Sequence, residues 1–202
     1  ADSGAEARYN LAVVNWFNEE GSRFKPSMTG SSVFTGKLSL EEALNTRDPQ
    51  GVTVQEAMTS IGELGEFQGL NVAAYAEIHV QQGRSMEEDG VQVGIVHATW
   101  AAHKYEFKVT GEQSHSGAAL MEDRKDELLA ASRMVVATRD LVDDGGKGEL
   151  HTACGEIHVY PNSPVVVASE ASLLIDLRSP SSAVIEQAHN TLMRKIAEIE
   201  QK

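Results

Sequence analysis

Apolar and polar positions alternate in different ways along the chain, and each pattern predicts an element. Leu11 to Phe17 reads LAVVNWF, a mainly apolar run without alternation. Such a run suits a strand buried on both faces of a parallel sheet. It stops at Asn18-Glu19-Glu20-Gly21-Ser22. In open α/β sheets the chemistry sits beyond the carboxyl ends of the strands, so two adjacent carboxylates there stand out. Ala73 to Gln81 is a second extended segment, with His79 inside it. Between the two, residues 25–70 are rich in Gly, Ser and Thr, with predicted helices over Leu40 to Leu44 and Val54 to Ile61. Ser39-Leu40-Glu41-Glu42 and Thr53-Val54-Gln55-Glu56 read as helix starts, the second with capping-box spacing.

A boundary is expected near residues 94–104, which divides the chain into domains 1–96 and 97–202. The second part reads βαββα. Tyr105, Phe107 and Val109 alternate with Glu106 and Lys108, as in a half-buried strand. Asp123 to Asp140 reads as a helix, with Leu128, Ser132, Val135 and Arg139 on a mixed face and Leu129 and Val136 beside it. Asp143 to Gly148 is a turn-rich connector that includes Lys147. Glu149 to Tyr160 and Ala171 to Arg178 read as strands; in the latter Leu173, Ile175 and Leu177 point one way and Leu174, Asp176 and Arg178 the other. Ser181 to Lys202 reads as a helix with an Ile185, Ala188, Leu192, Ile196, Ile199 stripe, capped by Ser181 or Ser182.

Composition narrows the function classes. Lys and Arg number 17 against 30 Asp and Glu, a net charge of −13. An acidic chain gains nothing from counterion release, which argues against a nucleic-acid partner. No apolar run approaches the roughly 20 residues that cross a bilayer, which argues against a membrane partner. The first ten residues carry Asp2, Glu6 and Arg8 with no apolar stretch, so they do not read as a signal peptide. The single cysteine, Cys154, excludes an internal disulfide framework, reads as a small buried hydrophobe, and fits a cytoplasmic location.

Several residues are candidates for chemistry. Glu19 and Glu20 are either a general base beside a metal ligand or a solvated acidic turn. His79 is either a metal ligand or a hydrogen-bonded structural residue; Gln82 after it could place an amide against a ligand. His115, in the small polar loop Gly111 to Gly117, is either functional or a plain surface residue. Arg178 is either a carboxylate binder or half of a surface ion pair. His97, His103, His151, His158 and His189 read as structural; His151 and His158, an odd number apart, are expected on opposite faces of their strand.

Four motifs occur in order: Asn18-Glu19-Glu20-Gly21-Ser22-Arg23-Phe24; Glu77-Ile78-His79-Val80-Gln81-Gln82-Gly83; His115-Ser116-Gly117 with Met121, Arg124 and Asp126; and Asp176-Leu177-Arg178. Together they resemble the N-carbamoyl-L-amino-acid hydrolase, allantoate amidohydrolase and β-ureidopropionase group of M20-type metallopeptidases, from about residue 9 to the end. The resemblance implies part of a two-domain α/β fold: a zinc-peptidase-like catalytic domain with an inserted ferredoxin-like α+β domain that acts as a lid and forms a homodimer. It implies two divalent metal ions, usually zinc, with manganese, cobalt or nickel able to serve. It gives Glu19 the role of general base, Glu20 and His79 one metal each, and Gln82, His115 and Arg178 substrate contacts. His115 would also stabilise the oxyanion, and Arg178 would hold the substrate carboxylate.

The departures from the family pattern are local. A His-x-Asp ligand pair ahead of Glu19 and a final His after the lid are absent, which leaves an incomplete ligand set and suggests an internal portion of a longer enzyme. Gln81 stands where Glu is usual, and Ala118-Ala119-Leu120 where Thr-Thr-Pro is usual. The family's substrate-binding Asn falls by spacing on Val165, with Asn162 three places early. The expected activity is hydrolysis of the carbamoyl C–N bond of an N-carbamoyl-L-amino acid or related ureido acid. Allantoate is the alternative substrate, then the acylated amino acids or dipeptides of the same clan. The competing class is an inactive lid and dimerisation module.

Overall fold

A computed structural model describes residues 8–66, 69–146 and 148–201. Asp2, Glu6, Lys147 and Lys202 of the sequence reading lie outside the described residues. The chain separates into two compact units, Ala1–Val80 and Gln81–Lys202.

The first unit holds the short helices α1 (Thr29–Phe34), α2 (Leu40–Asn45) and α3 (Val54–Ser60). Both predicted starts form complete capping boxes, Ser39 with Glu42 and Thr53 with Glu56. The buried residues are few: Phe24, Thr29, Ala43, Asp48, Thr53 and Val54. Asp48 accepts from Arg23 Nε at 2.9 Å and from the N–H groups of Gln50 and Val52 at 3.0 and 2.9 Å. Burial alone would raise its pKa; these donors outweigh burial and hold the carboxyl below its ordinary value.

The two expected strands of this unit do not form. Neither residues 11–17 nor 73–80 join a ladder among the described residues, and Leu11, Val13, Ile78 and Val80 are exposed. A strand buried on both faces needs neighbours for its N–H and C=O groups and a cover for its side chains. The described residues of this unit supply neither. Side chains link the two segments instead, through Trp16 Nε1 donating to Tyr75 Oη at 3.1 Å.

The second unit opens with a short helix α4 (Ser85–Glu88) and a stretch without secondary structure over residues 93–100. Its centre is an antiparallel sheet of three ten-residue strands, β1 (Ala101–Thr110), β3 (His151–Tyr160) and β5 (Glu170–Ser179), in the order β1-β5-β3. A two-stranded ribbon pairs β2 (Ser114–His115) with β4 (Val166–Val167). Helices α5 (Glu127–Asp140) and α6 (Ser182–Glu200) pack on one face of the larger sheet. The predicted alternation of β5 holds: Leu173, Ile175 and Leu177 are at most 1% exposed and meet Ala131, Met134, Ala188 and Leu192. Each such side chain contributes about 1.5–3 kcal/mol by leaving water. The predicted stripe of α6 is buried at Ile185, Ala188 and Leu192, and the Ser181 side chain caps the helix by accepting from Val184 N–H.

Three expectations for this unit need correction. Helix α5 starts at Glu127, four residues late, because Asp126 caps it by accepting from Leu129 N–H at 3.0 Å. Its buried stripe is Glu127, Ala131, Met134 and Thr138, and Leu128, Leu129 and Val136 are left exposed. His151 and His158 fall on one face, opposite Arg178 and Ser172, because a bulge between Cys154 and Glu156 inserts a residue and shifts the parity of β3. At the β1 edge, Tyr105 Oη lies 3.1 Å from His103 Nδ1 and 2.8 Å from His189 Nδ1, which gives both histidines structural partners.

Glu127 is buried beneath the turn after β1. A Cβ on Gly111 would overlap its Oε1, so a larger residue there would require the Glu127 carboxylate to move. Its Oε2 has no hydrogen-bond partner among the described residues. Burial, with Asp126 and Glu112 nearby, raises its pKa above the ordinary carboxylate value.

Candidate active site

Glu19 and Glu20 lie on a turn that Asn18 organises. Asn18 takes a left-handed conformation with φ 51°. Its Nδ2 donates to the carbonyls of Phe24 and Pro26 at 2.7 and 3.0 Å and lies 2.8 Å from Thr29 Oγ1. The Glu19 carbonyl accepts from Met28 N–H at 2.9 Å, and the Phe17 carbonyl from Gly30 N–H at 3.0 Å. Gly21 is required here: its φ is +70°, and a Cβ would come within 2.9 Å of Ser27. This scaffold leaves both glutamate side chains exposed. Asn18 stands at the head of its motif, which assigns it no role. Its signal was an asparagine at the end of an apolar run, a residue type that tolerates the left-handed region.

His79 is exposed, and its Nδ1 lies 2.6 Å from the Val80 carbonyl. Nδ1 therefore carries the proton, and Nε2 is left as the free donor atom for a ligand. Glu20 and His79 have the donor chemistry of zinc ligands, but they are only two. Among the described residues, no three His, Cys, Asp or Glu side chains gather into a group that could hold a metal ion. Catalytic zinc takes three protein ligands and a structural site four, so the described residues do not fit a metal centre on their own.

In the second unit, His115 closes β2. The Gly117 N–H donates to His115 Nδ1 at 3.0 Å. That bond fixes the neutral tautomer with its proton on Nε2, so the ring offers a donor to solvent. The turn 115–119 is held by Ala118 and Ala119 N–H groups on the His115 carbonyl, at 3.3 and 3.1 Å. Two outside holds fix it to the unit. Ser116 N–H donates to the Val165 carbonyl at 3.0 Å. Arg124 Nη2 donates to the Ser116 carbonyl at 2.6 Å and to the Ala119 carbonyl at 3.2 Å.

Beside this turn is a cleft of about 200 Å³ lined by Ser116, Arg124, Asp126, Asn162, Ser163 and neighbouring Val and Ala residues. The structure thus brings Asn162 to the His115 turn. Val165, at the position where the family has its asparagine, contributes a backbone carbonyl. Arg178 is not in the cleft lining. It projects from the opposite face of β5 to the buried leucines, and its Nε and Nη2 both lie 2.8 Å from Asp176 Oδ2. Hydrogen bonding to Asp176 and its charge hold the guanidinium proton more tightly than usual. Gln82 is exposed in the irregular segment before α4.

Comparison with known proteins follows these features. No family model matches the chain. A protein of Mycolicibacterium smegmatis whose name goes no further than hydrolase is 53% identical over 204 residues, which cover 98% of this chain and 46% of the relative. An allantoate amidohydrolase of Bacillus subtilis is 35% identical, and an N-carbamoyl-L-amino-acid amidohydrolase of Rhizobium meliloti 32%; each match covers 92% of this chain, and 46% and 45% of those proteins respectively. The crystal structure of an amidase of the hydantoinase/carbamoylase family from Burkholderia vietnamiensis superposes with a TM-score of 0.83 at 33% identity, over 91% of this chain and 45% of that one. The chain is therefore a homologue of hydrolytic enzymes, with the α/β character of their fold. Relatives with a named substrate include these N-carbamoyl-L-amino-acid and allantoate amidohydrolases and a ureidoglycolate hydrolase of Arabidopsis thaliana at 29% identity. It spans about half the length of the curated relatives it matches. Among the described residues no helix is long and apolar enough to cross a membrane.

Proposed function

We propose that the protein is a cytoplasmic amidohydrolase that cleaves the carbamoyl C–N bond of N-carbamoyl-L-amino acids or related ureido acids. The observation that supports this best is the His115 tautomer set by the Gly117 N–H, on a turn whose Ser116 lines a cleft with Arg124, Asp126 and Asn162. A donor held in place before the reaction meets negative charge that develops only in the transition state. Glu19, exposed on its rigid turn, takes a proton from the attacking water as the new C–O bond forms. It returns that proton to the nitrogen as the C–N bond breaks. His115 Nε2–H donates to the carbonyl oxygen as it gains charge. Asn162 and Gln82 offer amides to the ureido group. Arg178, released from Asp176, holds the substrate carboxylate. The cleavage leaves the amino acid and carbamic acid, and the carbamic acid then decomposes to ammonia and carbon dioxide.

Glu20 and His79 are proposed as one ligand to each of two divalent metal ions, zinc or in its place manganese, cobalt or nickel. Two ligands do not make such a centre on their own. The second unit is proposed as the lid and homodimer interface. Allantoate is the second substrate this reading admits, on the strength of the 35% identical relative that bears that name.

The test uses the full-length protein and a panel of N-carbamoyl-L-amino acids, allantoate, N-acetyl amino acids and dipeptides. Release of ammonia from the carbamoyl compounds or allantoate, lost on chelation and restored by zinc or manganese, is the expected result. Turnover of acetyl compounds or dipeptides alone would replace this reading with a deacylase or peptidase. Turnover of none would leave the lid and dimer module.

A further inference from the structure

Arg124 grips the His115 turn and has no part in the proposed reaction. Its side chain bridges two carbonyls of the turn, Ser116 at 2.6 Å through Nη2 and Ala119 at 3.2 and 3.3 Å through Nη2 and Nε. These carbonyls bracket the Gly117 N–H that sets the His115 tautomer. Arg124 itself follows the 3₁₀ turn Met121–Asp123 and lies two residues before the Asp126 cap of α5, so its backbone joins that turn to the helix. The guanidinium thus ties a short exposed turn to a helix that packs in the core. A planar fork with several donors can grip both carbonyls at once, and a lysine ammonium cannot reproduce that geometry.

We propose that Arg124 is a positioning residue that holds the 115–119 turn so that His115 keeps its proton on Nε2 and aims it at the reacting carbonyl. The effect on catalysis rests on the proposed amidohydrolase reading; the effect on His115 does not. A group displaced by about 1 Å from a productive position can cost on the order of 100-fold in rate.

The test compares Arg124→Met, Arg124→Lys, His115→Ala and the double variant Arg124→Met/His115→Ala in the full-length protein. It measures kcat and KM for ammonia release from an N-carbamoyl-L-amino acid, thermal midpoints, and the imidazole nitrogen signals of the ¹⁵N-histidine-labelled protein without substrate. His115→Ala assigns the signal. Arg124→Met is expected to lower kcat about 10- to 100-fold with little change in KM. Arg124→Lys is expected to fall between it and the wild type. The double variant should match His115→Ala within about twofold, because the two residues act as one unit. The His115 signal should move from a single Nε2–H tautomer to a mixture in Arg124→Met. Multiplying effects in the double variant, or an unmoved tautomer in Arg124→Met, would overturn the proposal. Should Arg124→Met fail to fold, the same two comparisons with Arg124→Lys decide it. Should the protein release no ammonia from any ureido acid, the functional reading fails, and the histidine spectrum alone decides the positioning claim.

Discussion

The two units solve the problem of apolar sequence in opposite ways. In the second, alternation along β5 meets two helices and disappears into a core, with Leu177 fully buried between its neighbours. In the first unit a more apolar run, Leu11 to Phe17, lies open over residues 11–15, and the unit's order comes from caps, an asparagine amide and an ion pair from exposed Arg23 to buried Asp48. The difference teaches that an apolar pattern is half of a statement; the other half is the surface that covers it. It also separates stability from proposed chemistry. The packed unit carries most of the core, while the exposed glutamates sit on hydrogen-bonded turns.

The comparison breaks most visibly under core truncation. Leu177→Ala is expected to cost about 2–5 kcal/mol, read by urea denaturation, whereas Val13→Ala, on an open side chain, should stay within about 0.5 kcal/mol. Equal losses would mean that residues 11–17 are covered in solution. Asn18→Ala removes the amide that closes the glutamate turn and should cost about 1–3 kcal/mol, with faster amide exchange at Met28 and Gly30. Asp126→Ala removes the cap of α5 and should cost about 0.5–2 kcal/mol in the second unit alone.

The smallest effects come from pH, and they carry opposite signs. Glu127 binds its proton more tightly folded than unfolded. Its contribution is therefore complete below the ordinary carboxylate pKa of about 4.3 and is lost as pH rises through the raised folded value. Glu127→Gln should raise the thermal midpoint of the second unit at neutral pH and flatten its acid dependence. Asp48 binds its proton less tightly when folded. Its contribution is present above about pH 3.9 and is lost as pH falls through the lowered folded value. Asp48→Asn should remove that acid loss from the first unit. A pH-independent midpoint for either wild-type unit would contradict the matching assignment.

Legibility in the sequence follows the same division. The strands around Leu173 and Phe107 and the stripe of α6 could be read because each element buries one face against a partner within the chain. The strands over 11–17 and 73–81 could not, because pattern does not say whether a neighbour is present. The buried face of α5 was hidden because it is made of Ala131, Met134, Thr138 and a buried Glu127, while larger apolar residues face out. The histidine pair on β3 was misassigned because a bulge at Gly155 changes parity without changing composition. Of the candidate site, the motifs gave Glu19, Glu20, His79 and His115 by residue type and order. They contain Asn18 and Arg124 but could not give their clamping roles, because the backbone carbonyls these two hold are displayed by no sequence pattern.

The most direct test of the account is the ammonia-release rate of full-length Glu19→Gln beside the wild type, with the thermal midpoint of each. A fall of about 100- to 10,000-fold with unchanged midpoints is predicted, the size of a lost general base on an exposed turn that bears no core. Wild-type turnover by Glu19→Gln would contradict it, and the proton transfer would then have to be assigned elsewhere.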